Sequence, residues 1–342
     1  MTTFLATTRA KHQNKFSRRA QISLLTLSFL LSACSGGGGS SSTAQPVASP
    51  PPPPPPPVGT NLDSETNVIY GTGLTQNSSV NLELDIYQPE GDCSQRRPFV
   101  LGIHGGGFTG GSKSDSSWVS NMEAVVARGY AGLSIDYRLV GDQPVISAEF
   151  QPVLDDLDAE ADRLNLTADQ RAVLNASVAA FEDTVAALDW VRENADARCL
   201  DIDNFALWGS SAGAITGLHV GHALDDYFID RPEPKVVIDY WGRLFLEGQV
   251  DATDPPFMII HGTADSSQIY AQTALVLAAE ADAVGLAYSF YTIQDGPHGF
   301  GAVNPNRIQI NGQSPLEVTL DFIEAHLLDQ PAVYEVQTII PQ

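Results

Sequence analysis

Positive charge is scarce in this chain. It holds 18 lysines and arginines against 41 aspartates and glutamates, a formal net charge of −23. Five of the basic residues and none of the acidic ones fall within the first 33 positions, which leaves a net of −28 on the remainder. Beyond Cys34 the only lysines are Lys113 and Lys235. A surface of that sign repels a phosphate backbone and excludes nucleic acid as a partner. It suits a salty medium, where self-repulsion is screened. No internal repeat is present, so no repeat-built propeller is implied. Cysteine is sparse as well, with Cys34, Cys93 and Cys199. The apolar run at 22–31 is too short to span a membrane as a mature helix.

That run has another meaning. Arg9, Lys11, Lys15, Arg18 and Arg19 precede it, and Leu31-Ser32-Ala33-Cys34 follows. Charge, length and small residues at the end describe a signal peptide over 1–33. The Leu-Ser-Ala-Cys ending resembles a bacterial lipobox, which implies cleavage before Cys34 and lipidation of its thiol. Residues 34–60 are rich in glycine, serine and proline, with an unbroken proline run at 50–57. Such a tether is part flexible and part extended at about 3.1 Å per residue. The expected location is across the bacterial inner membrane, lipid-anchored at the outer membrane or cell surface. Residues 61–330 suffice for one domain with a large core, and 331–342 form a C-terminal tail of unassigned role.

The chemistry is carried by Gly209-Ser210-Ser211-Ala212-Gly213. An apolar strand-like run precedes it and a helix-like run follows, so Ser211 falls on a sharp strand-to-helix turn with its hydroxyl projecting from the sheet. Glycine on either side permits the close backbone approach that such a turn needs. Upstream, the strand-like run 98–103 delivers His104-Gly105-Gly106-Gly107-Phe108. A glycine loop of this kind lets main-chain N–H groups face a developing oxyanion. Downstream, Asp265 follows the apolar run 257–260, and His298 follows the strand-like run 288–293. His298 is suited to take the proton from Ser211, and Asp265 to orient the imidazole. Asp295, three residues before His298, is an alternative acid. Each loop follows a predicted strand, where open α/β sheets build their sites.

Together with Asp136-Tyr137-Arg138-Leu139, these motifs resemble the α/β-hydrolases of the carboxylesterase and hormone-sensitive-lipase-like kind, over about residues 65 to 328. The resemblance implies an α/β fold: a mostly parallel eight-stranded sheet, helices on both faces, and a helical insertion after the fourth strand. It implies a triad of Ser211, Asp265 and His298, and an oxyanion hole from the N–H groups of Gly106, Gly107 and Ala212. It places the strands that follow Cys93 and Cys199 side by side, which implies a Cys93–Cys199 disulfide, in keeping with secretion. The implied activity is hydrolysis of small-molecule carboxylic esters through an acyl-enzyme, with no cofactor. A serine peptidase of the prolyl-oligopeptidase type and a non-catalytic hydrolase-fold binding module are the alternatives.

One segment is longer than the family leads one to expect. Residues 140–176 carry apolar positions at helical spacing, and Thr167-Ala168-Asp169-Gln170 reads as a capping box. One or two extra helices, forming a lid, are expected here. Phe108, Tyr240 and Trp241 fall in predicted loops near the site and are candidates for the substrate pocket. The spacing of His219 and His222 suits a pair of metal ligands, but no third ligand is evident, so a packed helix accounts for them and no metal is called for.

Overall fold

The computed structural model describes residues 62–91, 93, 96–300 and 307–342. The signal segment 1–33, Cys34 and the tether 34–60 lie outside these residues. No helix among the described residues is long and apolar enough to cross a membrane.

A single sheet organises the domain. Its strands are β1 (Leu62–Leu74), β2 (Ser79–Pro89), β3 (Arg97–Ile103), β4 (Ala131–Ile135), β5 (Leu200–Ser210), β6 (Val236–Tyr240), β7 (Phe257–Gly262), β8 (Tyr288–Ile293) and β9 (Val336–Ile339). Their spatial order is β1-β2-β4-β3-β5-β6-β7-β8-β9. β1 and β2 pair antiparallel, as do β2 and β4; every later pairing is parallel. Apart from the polar start of β5, the parallel strands are largely apolar, as strands covered on both faces must be. β4 and β7, for instance, are buried along their whole length.

Side chains alternate between the two faces. Leu101, Leu207, Val237 and Ile259 enter one core cluster, and Val100, Ala206, Trp208, Ile238 and Met258 enter the other. The first is closed by α2 (Gln151–Leu164), α3 (Ala168–Arg198), α4 (Ala212–Leu218) and α5 (Ala274–Val284). The second is closed by α1 (Ser116–Ala127) and α6 (Pro315–Leu327). In α1 the buried side chains are Trp118, Met122, Val125 and Val126, one stripe at helical spacing.

The sheet has one strand more than the eight expected. β9 comes from the C-terminal segment 331–342, and it pairs parallel to β8 from Phe290↔Val336 to Ile293↔Ile339. The insertion after β4 is helical, as the spacing indicated. α2 buries Val153, Leu157 and Ala161 at four-residue intervals. Asn165, in the left-handed region at φ 54°, ends it. Thr167 then caps α3: its hydroxyl accepts from Gln170 N, and Gln170 Oε1 accepts from Thr167 N at 2.9 Å. α3 runs unbroken for 31 residues to Arg198, so the second half of the insertion and the connection into β5 are one helix.

Cys93 and Cys199 are joined, with Cα atoms 5.2 Å apart, inside the range a disulfide requires. The bridge sits where β3 and β5 begin, beside the Arg97↔Leu200 pair. It therefore lies at the opposite end of these strands from Ile103 and Ser210, where the chain turns into the motifs.

Candidate active site

β5 ends at Ser210, and α4 begins at Ala212. Ser211 makes the whole turn between them, at φ 53° and ψ −117°. That conformation is strained for a side-chain-bearing residue, and the surroundings enforce it. Ser211 N–H donates to Tyr240 O on the neighbouring strand at 2.8 Å, and Ser211 O accepts from Ile215 N at 2.9 Å. A Cβ at Gly213 would overlap the carbonyl of Ile103, and one at Gly209 would overlap the carbonyl of Gly213. Packing, not unusual torsion, demands glycine at both places.

His298 lies in a tight turn after β8. Its Nε2 is 2.9 Å from Ser211 Oγ, and its Nδ1 is 2.7 Å from Asp265 Oδ2. With Nδ1–H donating to the carboxylate, Nε2 carries the lone pair toward the serine hydroxyl. Asp265 is buried, and its Oδ1 accepts from Ser267 N and Gln268 N at 2.8 Å each. The loops after β7 and β8 are laced together: Thr263 N donates to Ile293 O and Ala264 N to Gly296 O, each at 3.0 Å. The alternative acid, Asp295, is exposed; its N–H donates to Thr263 Oγ1 at 2.8 Å.

The glycine loop lies against this turn. A Cβ at Gly105 would stand 2.9 Å from Ser210 O and 3.4 Å from Ser211 Cβ. Tyr137 holds the loop from below, its hydroxyl donating to His104 O at 2.7 Å and its ring stacked on His104 at 4.2 Å. Gly106 and Gly107 adopt φ of 114° and 62°. Among the described residues the N–H groups of Gly106, Gly107 and Ala212 have no hydrogen-bond acceptor, so all three are spare donors.

The three pocket candidates part company. Phe108 is 2 % exposed and packs edge-on against Tyr137, inside the core. Tyr240 engages Thr319 Oγ1 at 2.6 Å and lies against Trp208, toward α6. Trp241 alone reaches the histidine: its ring centroid is 6.1 Å from His298 and 4.7 Å from Phe300.

His219 and His222 are buried below the site in a π-helical turn that extends α4. His219 Nδ1 donates to Ile215 O at 2.7 Å, and Nε2 accepts from Phe245 N at 3.3 Å. His222 faces the carbonyls of Leu218 and Pro255 at 3.1 and 3.0 Å. These nitrogens are engaged with main chain, not turned to one shared point. Burial pushes their pKa values down, to about 3 for His219 and about 4 for His222.

Two residues near the site escaped sequence reasoning. His261 is fully buried; its Nε2–H donates to Gln268 O at 2.8 Å, and burial holds its pKa below the ordinary value. Asp239 is fully buried at the end of β6, and burial pushes its carboxyl up to about 7. The signal for Asp239 was present: one carboxylate within the apolar run Val236-Val237-Ile238-Asp239-Tyr240.

With this geometry in hand, similarity to known proteins can be placed. A family model described as BD-FAE matches residues 84–178. Secreted lipase 5 of Gibberella zeae is 28 % identical over 173 residues, which is 49 % of this chain and 27 % of that longer protein. The esterase 2 of Thermogutta terrifontis phosphorylated by paraoxon superposes with a TM-score of 0.55 at 20 % identity, over 78 % of this chain and 96 % of that one. The propionate-bound form of the same esterase gives 0.55 at 21 % identity, over 79 % and 97 %. A truncated carbohydrate esterase from gut microbiota gives 0.52 at 18 % identity, over 80 % and 99 %. Strand order, helices on both faces and these superpositions agree: the chain has the α/β-hydrolase fold.

Proposed function

We propose that this chain is a serine hydrolase that cleaves carboxylic esters. The observation that carries the reading is the continuous relay from Ser211 Oγ to His298 Nε2 at 2.9 Å and from His298 Nδ1 to Asp265 Oδ2 at 2.7 Å. Ser211 attacks the ester carbonyl while His298 takes its proton. The N–H groups of Gly106, Gly107 and Ala212 receive the oxyanion, and each such donor is worth roughly 3–4 kcal/mol in the transition state. His298 returns the proton to the leaving alcohol. Water then enters, and the acyl-enzyme is hydrolysed by the same groups in reverse order. Asp265 keeps the imidazole in the needed tautomer and stabilises its protonated form. No cofactor takes part.

The match to the lipase and the likeness to esterases support an ester substrate, and the propionate-bound neighbour supports a short acyl group. Trp241 forms one wall of the pocket, beside His298. The helical segment 140–176 acts as the lid that sets substrate size. Secretion is part of the reading: Cys34 is lipidated after removal of 1–33, the tether 34–60 holds the catalytic domain off the membrane, and the disulfide fits an oxidising compartment.

The test is hydrolysis of p-nitrophenyl esters from acetate to palmitate, with a matched anilide and with Ser211→Ala alongside. Ester turnover that disappears in the variant is the expected result. Equal rates in both proteins, or cleavage of the anilide in preference to the ester, would overturn it.

A further inference from the structure

The reaction above makes no use of Asp239, yet this carboxyl occupies an expensive position. It is fully buried at the end of β6, between Gly209 on β5 and Ile259 on β7. Its Oδ1 accepts from Gly242 N at 2.6 Å. Its Oδ2 has no hydrogen-bond partner among the described residues. A carboxyl in such a place costs folding free energy that a leucine would not.

What the carboxyl holds gives it a purpose. Asp239 and Gly242 are the two ends of a four-residue turn, and its middle residues adjoin the main chain of Ser211 and the ring of His298. Tyr240 O accepts from Ser211 N at 2.8 Å. Trp241, in the left-handed region at φ 49°, donates its N–H to Ile260 O at 3.0 Å and sets its ring 6.1 Å from His298. Gly242 is packed into the first turn of the nucleophile helix: a Cβ there would stand 2.6 Å from Ala214 Cβ and 2.9 Å from Ile215 N. A bulky residue at positive φ persists only where its surroundings over-determine it, and the bond from Gly242 to Asp239 is the tie next to it in the chain.

We infer that Asp239 is a positioning residue: through Gly242 N it locks the Tyr240–Trp241 turn, and so fixes Ser211 and the ring beside His298 relative to each other. The inference rests on the serine-hydrolase reading. Asp239 touches no reacting atom. It acts through the main-chain carbonyl of Tyr240 and the indole of Trp241.

The experiment compares wild type, Asp239→Asn, Asp239→Leu and Asp239→Ser on p-nitrophenyl acetate, with kcat counted per folded molecule from circular dichroism and the urea transition. Asparagine keeps an oxygen for Gly242 N; leucine fills the space without one; serine is too short to reach it. The expected result is kcat and KM within threefold of wild type for Asn. For Leu and Ser, kcat should fall 30-fold or more, with KM within threefold. Serine carries the comparison if leucine does not fold. Retention of kcat by Leu or Ser would reduce Asp239 to core packing and overturn the inference, as would an equal loss in Asn. Failure of the serine-hydrolase reading looks different: wild type itself would show no hydrolysis that depends on Ser211.

Discussion

Asp265 Oδ2 receives His298 Nδ1 at 2.7 Å, and His261 Nε2 lies 3.3 Å from the same oxygen. Oδ2 thus takes the His298 proton, with the His261 ring beside it giving its own N–H to Gln268 O, while the other oxygen is taken by Ser267 N and Gln268 N. Asp265→Asn has no good orientation here. With its NH2 in place of Oδ2 it opposes the His298 Nδ1–H; turned over, it opposes two main-chain N–H groups. His298 should lose the tautomer that accepts from Ser211. We expect kcat to fall on the order of 10⁴-fold, with KM little changed and the circular dichroism spectrum retained. A loss under tenfold would show that Asp265 does not serve His298.

The disulfide offers a separate test. Cys93 and Cys199 are 106 residues apart in sequence, and the bridge lies at the far end of β3 and β5 from Ser211. The double variant Cys93→Ser, Cys199→Ser should be less stable by about 2–5 kcal/mol, read from urea unfolding. Its kcat on a p-nitrophenyl ester should match wild type at temperatures where both are folded. An unchanged unfolding midpoint would mean that the bridge does not constrain the unfolded chain.

His219 and His222 predict acid sensitivity. Their folded pKa values, about 3 and about 4, lie below the unfolded value near 6.5. The sign follows: their contribution is complete above pH 6.5 and is lost as the pH falls toward 4, because the unfolded chain takes up protons that the folded one refuses. Each adds about 1.4 kcal/mol per pH unit to the slope over that window. His222→Gln should flatten the fall in urea midpoint between pH 6.5 and 4. A slope identical to wild type would mean that the buried imidazole is not neutral.

Asp239 has the opposite sign. Burial raises its folded pKa to about 7, above the unfolded carboxylate range near 3.9. Relative to the unfolded chain, its stabilising share is full below pH 4 and is lost as the pH rises to 7. It therefore offsets part of the histidine effect. Asp239→Asn should remove that offset and make stability fall more steeply on acidification, with a difference between pH 7 and 4 of up to about 4 kcal/mol. Parallel stability curves for the two proteins would contradict a protonated carboxyl at this position.

Much of this arrangement was legible because it is local. The capping box at Thr167 and Gln170 follows from side-chain chemistry within one turn, and α3 starts there. The glycines around Ser211 follow from the tightness of a strand-to-helix turn. What escaped depends on distant parts of the chain. Phe108 reads like a pocket residue because it ends a glycine loop, but Tyr137, on the segment after β4, gives it a core to enter. β9 has four residues, of which only Ile339 is buried, so neither its length nor its alternation stands out. Its reason to be extended is the free edge of β8. Asp239 and His261 read as punctuation at strand ends; their hydrogen-bond partners, Gly242 and Gln268, are near in sequence, but their burial comes from the strands paired on either side.

That short last strand also protects the sheet. β8 delivers His298, and β9 completes its hydrogen bonding: Phe290 N donates to Glu335 O at 2.7 Å and Gln294 N to Ile339 O at 2.9 Å. Without β9, the strand that leads to His298 would be a bare edge, open to pairing with another chain. The four residues of β9 therefore guard the border beside the strand that leads to His298, and keep the sheet from growing into a neighbour.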